Sequence, residues 1–144
     1  MSNNLIAKST TSIEAPRDKV WEALVKADAI KQYMFGAIVE SDWSRGSRIT
    51  WTGEMNGKKY EDKGVILEIE PEQTLQYTHF SPLSGKAERP ENYHTIKIDL
   101  SGSGNETEVS LSQDNNPDEK AREESEKNWT AMLGGLKKYV EKSS

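Results

Sequence analysis

The chain carries two histidines, His79 and His94, and no cysteine, so acid–base or metal chemistry would rest on very few groups. Without a thiolate there is no cysteine nucleophile, no disulfide framework and no cysteine-based zinc set. Neither histidine stands in an H-E-x-x-H spacing, and neither a G-x-S-x-G elbow nor a glycine-rich phosphate loop occurs. No catalytic set, metal site or cofactor is therefore expected. His79, one alternation step beyond Tyr77 in TLQYTHF, is the single general acid or base that a sheet face could carry inward. A plainer reading is a histidine hydrogen-bonded at a strand end. His79 and His94 fall on neighbouring predicted strands, and nothing in the sequence requires them to meet. The remaining candidates offer aromatic and apolar surface: Trp51, Tyr77, Trp129, Met132 and the run Tyr33-Met34-Phe35. Such a set with a few polar tips suits a small-molecule site. It suits an ordinary small core equally well, and both readings stay open.

The bulk composition narrows the partners. At 144 residues the chain is long enough for one moderate core in a single domain over 1–144, and at 33% hydrophobic that core must be small or partly polar. Nineteen basic and 24 acidic residues give a net charge of −5. The longest basic runs are Lys58-Lys59 and Lys137-Lys138, too short for the clustered charge that nucleic acid needs. The opening MSNNLIAKSTTS lacks the charged lead and apolar stretch of a secretory signal, and no window is apolar enough to span a membrane. A soluble, cytoplasmic location is expected.

The elements that must position these residues follow from periodicity. Residues 5–14 alternate loosely as a first strand, and Pro16 suits the first helical position after it. Val20, Ala23, Leu24 and Ala27 then recur at helical spacing, with Trp21 and Val25 on the flank. A second short helix is predicted from Asp28, as its cap, to Tyr33. After Gly36 the period becomes two, and six strand-like runs follow: AIVESDW, SRITWTGEM, KYEDKGVILEIE, TLQYTHF, YHTIKIDL and ETEVSLSQ. Short turns between them, Asn56-Gly57 above all, predict an antiparallel meander. Alternation assigns inward faces to Ile49 and Trp51, to Val65, Leu67 and Ile69, and to Leu75, Tyr77 and His79. Ile96, Ile98 and Leu100, then Val109 and Leu111, continue the inward face. A long polar loop, PLSGKAERPEN, interrupts the meander, and its Lys86, Glu88 and Arg89 read as solvated surface. From Asn116, as cap, a long helix runs to about Glu141 with Trp129, Met132, Leu133, Leu136 and Val140 along one stripe. Gly134 and Gly135 sit inside it, where each should cost about 0.8–1 kcal/mol relative to alanine. Gly135 falls on the flank of the inward stripe, where it permits a close backbone approach or leaves space for a ligand, whereas Gly134 falls near the outward side.

This order, α+β with one strand, two short helices, six strands and a long C-terminal helix, is that of a helix-grip fold: a curved antiparallel sheet wrapped around the terminal helix. The residues IEAPRDKVWEAL (13–24), Gly46, VILEIEPEQTLQYT (65–78) and NWTAMLGGLKKYVE (128–141) resemble the START-like (SRPBCC) superfamily, in its activator of heat-shock protein 90 ATPase homologue-like branch. Two features depart from the branch: Arg45-Gly46 replaces a double glycine, and Asn128 replaces the glycine before Trp129. Full-length co-chaperones of the branch also carry a separate N-terminal domain with no counterpart here, so their ATPase stimulation is not implied.

The resemblance implies a space between sheet and helix. The leading expectation is a ligand-binding domain holding a small apolar or aromatic molecule in a hydrophobic cavity at Trp51, Tyr77, His79, Trp129 and Met132, with Met34 and Phe35 closing the mouth. The alternative is a protein-interaction module related to the C-terminal domain of the activator, with a chaperone as partner. A cyclase- or aromatase-like enzyme ranks last, because the acid–base set is missing.

Overall fold

The computed structural model describes residues 5–34, 36–55, 57–81 and 87–143. Strand β1 (Leu5–Ile13) leads into helices α1 (Arg17–Val25) and α2 (Ala27–Tyr33). Six strands follow: β2 (Ile38–Ser41), β3 (Arg48–Met55), β4 (Lys58–Glu70), β5 (Thr74–His79), β6 (His94–Ser101) and β7 (Thr107–Asn116). Helix α3 (Glu119–Ser143) completes the chain. The strands form one curved, unclosed sheet in the order β1-β7-β6-β5-β4-β3-β2, and every neighbouring pair is antiparallel. The predicted meander is thus closed on one side by the first strand pairing with the last. Met55 opposes Lys58 across the tightest hairpin, and Gly57 takes the left-handed backbone (φ 79°) that such a turn demands. Its companion Asn56 lies outside the described residues.

Helix starts differ from the sequence reading by local hydrogen-bond chemistry. Pro16 stands just before α1, and its carbonyl accepts from the N–H groups of Lys19 and Val20. Extended Lys26 separates α1 from α2, so Asp28 lies in the first turn of α2 rather than capping it. Asn116 likewise stays in β7. Asp118 caps α3 instead, its Oδ1 accepting from the Ala121 N–H at 2.8 Å.

Helix α3 lies along β1, the edge strand, and its side chains satisfy backbone groups there. The Lys8 N–H donates to Glu126 Oε2 (3.1 Å), the Glu14 N–H to Glu141 Oε2 (2.8 Å), and Lys137 Nζ to the Ser12 carbonyl (2.6 Å). These contacts cover part of an edge that another strand could otherwise extend.

The core is the concave face with the stripe of α3 and the inner sides of α1 and α2. Ile49, Trp51, Leu75, Tyr77, Ile96, Ile98, Leu100, Val109 and Leu111 are buried on it as their alternation predicts. Strand β4 is the exception. Ile66 is fully buried, whereas Val65 and Leu67 are 37% and 39% exposed. The register shifts between Ile66 and Glu68, and this bulge returns Ile69 to the core side while Val65 and Leu67 face outward. Two steps before Ile66, Gly64 admits the Thr78 carbonyl of β5, which would stand 1.7 Å from a Cβ. No side chain fits there.

Candidate functional site

The middle of the grip is aromatic. Trp51 on β3 packs against Tyr77 on β5 with ring centroids 5.2 Å apart. From α2, Tyr33 donates its hydroxyl to the Ala23 carbonyl at 2.8 Å and leans on Tyr139 of α3, with centroids 6.4 Å apart. Burial pushes the Tyr33 and Tyr77 phenols well above their ordinary range, so both stay neutral. Gly135 explains how α2 comes so near α3: a Cβ there would lie 3.2 Å from the Tyr33 Cβ. A cavity of about 20 Å³ remains, lined by Tyr33, Met34, Trp43, Trp51, Tyr77 and Met132 among others. That is room for about one water molecule, against the roughly 300–1,000 Å³ of typical ligand pockets.

Toward the N-terminal half of α3 the same face turns polar. Asp62 pairs directly opposite Trp51, and its Oδ2 lies 2.9 Å from His79 Nε2. The His79 ring meets Trp51 nearly edge-on, at 5.1 Å. Asp62 Oδ1 is buried and has no hydrogen-bond partner among the described residues. His94 stands directly across from His79 in the β5–β6 register. Its Nδ1 lies 3.0 Å from the Asp114 carbonyl and 3.3 Å from Gln113 Nε2. Gln113 Oε1 then accepts from Trp129 Nε1 at 2.5 Å. Asp62, His79, His94, Gln113 and Trp129 thus form a polar row across β4, β5, β6, β7 and α3.

Of the residues expected at the site, Trp51, Tyr77, Met132 and Met34 line the cavity. His79 sits at its polar end behind Trp51, and Trp129 belongs to the Gln113 contact, away from the cavity walls. Phe35 lies outside the described residues, as does Lys86. The two histidines stand opposite each other in the β5–β6 register, which the sequence did not require. Glu88 is exposed, as expected, and there it pairs with Lys63 at 2.5 Å and accepts from the Tyr93 hydroxyl at 3.2 Å. The sequence reading missed Asp62, Gln113 and Trp43. Gln113 carries the parity of Val109 and Leu111 on β7, so alternation could have found it. Asp62 has the parity opposite to that assigned to β4, and only its register across the Asn56-Gly57 hairpin, which sets it opposite Trp51, reveals it. Trp43 lies in a loop, where no periodicity reaches. Among the described residues no group of three or more metal-ligating side chains is assembled, and no helix is long and apolar enough to cross a membrane.

A curved antiparallel sheet gripping a terminal helix, with the site between them, defines the START-like class. Within it, residues 14–141 match the model of the Activator of Hsp90 ATPase homolog 1-like protein family, and the chain belongs to that family. Among solved structures, ChR145 from Cytophaga hutchinsonii is similar at 54% identity and a TM-score of 0.87, over 99% of this chain and 98% of that one. The Aha1 dimer from Colwellia psychrerythraea is similar in fold at 20% identity and a TM-score of 0.74, over 95% and 96% of the two chains. Protein MLL2253 from Mesorhizobium loti shares the fold at 18% identity and a TM-score of 0.78, over 97% and 99%. No curated protein matches the chain.

Proposed function

We propose that the chain is a ligand-binding member of its family. It would take a small apolar or aromatic molecule between sheet and α3, against Trp51, Tyr77, Met132 and Met34. The observation that carries this reading is the pairing of an aromatic cavity with a buried, unpartnered carboxylate oxygen, Asp62 Oδ1, on the far side of Trp51. An unsatisfied buried acceptor costs about 1–3 kcal/mol, and a ligand donor placed beside His79 would recover it. The two methionines are the unbranched, adaptable side chains through which a tight interior makes room. Trp129 packs against the core and is tied to the polar row through Gln113. Native mass spectrometry of freshly purified protein tests the reading directly. The expected result is a stoichiometric adduct that is lost on denaturation and absent from a Trp51→Ala variant that still folds.

A second reading has its own support. An interior of about 20 Å³ is what a domain working through its surface would have. A bare chain in the native spectrum, together with capture of a heat-shock protein 90 chaperone on immobilised protein, would replace the ligand reading with the interaction module.

A further inference from the structure

The loop between β2 and β3 holds Trp43 in a left-handed backbone, φ 54°. For a bulky residue this conformation is a true outlier, and such strain persists only where its surroundings over-determine it. Three serines do so. The Trp43 N–H donates to Ser41 Oγ (3.0 Å), and Ser47 Oγ donates to the Ser44 carbonyl (2.7 Å) while accepting from the Ser44 N–H (3.2 Å). Ser41 and Ser47 are themselves joined through their hydroxyls at 3.3 Å.

The held indole is a shared wall. Trp43 lines the interior cavity together with Trp51, Tyr77 and Met132. It also lines an outer cleft of about 620 Å³ with Trp21, Val25, Ile69 and Pro71, beside the charged Arg45, Glu68 and Glu70. A second outer cleft, of about 630 Å³, touches Trp43 too, but besides that indole its apolar walls are the small Ala27 and Val39, so it offers an apolar guest less to hold. We propose that Trp43 is the door of the ligand site, and that the ligand enters from the cleft between α1 and the β2–β3 loop when this indole swings out. The proposal rests on the ligand reading above. The strained backbone makes the swing easier, since leaving the left-handed conformation releases strain that offsets part of the lost packing.

The chain has no native cysteine, so Met132→Cys places a single thiol on the inner wall. Its reaction rate with methyl methanethiosulfonate reports how often the interior opens, without any ligand. Adding Trp43→Ala should raise that rate by about tenfold or more, and adding Trp43→Phe by much less. Ser47→Ala, which keeps the indole but frees the loop, should also raise it. Should the Trp43→Ala protein fail to fold, the Ser47→Ala comparison decides alone. A thiol at Val109, buried on β7 and absent from the cavity wall, should stay slow in every background. Equal Met132→Cys rates with and without the door changes would overturn the proposal. So would parallel acceleration of both thiols, which would mean general loosening. Fast labelling without an adduct in the native spectrum would leave the door standing and remove the ligand reading instead.

Discussion

Leu136 and Asn116 are both shut off from solvent, at 0% and 2% exposure, yet they hold two halves of the grip by different physics. Around Leu136, its helix neighbours Met132, Leu133 and Val140 share the apolar core with Tyr33 of α2, and stability there is area removed from water. Around Asn116 it is pairing. The Asn116 amide donates to the Leu5 carbonyl (2.9 Å) and the Gln113 carbonyl (3.1 Å), while its Oδ1 accepts from Ser125 Oγ (3.0 Å). An apolar contact tolerates a change of shape, because neighbouring side chains can shift. A buried hydrogen-bond network does not, because each lost partner strands another. The half of the grip able to open for a guest is therefore the apolar one, and the polar half is the anchor.

The largest expected effects separate the two kinds of bond. Leu136→Ala should cost about 2–5 kcal/mol, as deletions in tight cores do, whereas Leu136→Met should cost under about 1.5 kcal/mol. Asn116→Leu, alike in branching though larger, should cost about 2–4 kcal/mol, because the Leu5 and Gln113 carbonyls and the Ser125 hydroxyl lose their partner. Urea unfolding of the four proteins measures this. An Asn116→Leu variant as stable as wild type would show that packing holds both halves.

The same contrast decides what could be read beforehand. The strands, the paired short helices and the apolar half followed from periodicity, because burial repeats with the element: Ile49 and Trp51, or Ile96 and Ile98, announce their face at every second residue. Periodicity failed at Val65 and Leu67, where one bulge inverts the parity and leaves no mark in the sequence. The polar row was invisible for a different reason. Asp62 looks like a surface residue, and only the register that sets it opposite Trp51 makes it interior. Gln113 shares the parity of Val109 and Leu111, but its polar side chain is passed over by a search for apolar alternation. The start of α3 was misplaced for a similar reason, since Asn116 and Asp118 are both good caps and tertiary pairing claimed the first.

The two glycines of α3 test the apolar half at a finer scale. A Cβ on Gly134 would find no atom within 4 Å, so the residue carries only its helix penalty. Gly134→Ala should stabilise the protein by about 0.8–1 kcal/mol. Gly135→Ala brings the same helical gain but presses on Tyr33 at 3.2 Å, so it should at best break even. Thermal melts of the two single variants give the answer. Equal stabilisation would mean that α2 and α3 are less closely fitted than Tyr33 requires, and the apolar half would then be softer still.

The smallest effect is one that both halves should share. Glu126 pins the polar half of α3 to β1, and Glu141 pins the apolar half. The Lys8 N–H and then Arg122 hold the Glu126 carboxyl below its ordinary value of 4.5, and the Glu14 N–H and then Lys137 do the same for Glu141. A carboxylate with a lowered folded pKa contributes stability that is complete above the unfolded value, and that contribution disappears as pH falls through the folded one. Acid below about 4.5 should therefore loosen the α3–β1 contact at both ends, whatever holds the rest of each half. Protection factors for the Lys8 and Glu14 amides, followed by hydrogen exchange as the pH is lowered, should fall together. Glu126→Gln should flatten the pH dependence at Lys8 alone, and Glu141→Gln at Glu14 alone. Were one substitution to flatten both, α3 would be docking as a single rigid unit, and the division of the grip into an anchor and an opening half would not hold.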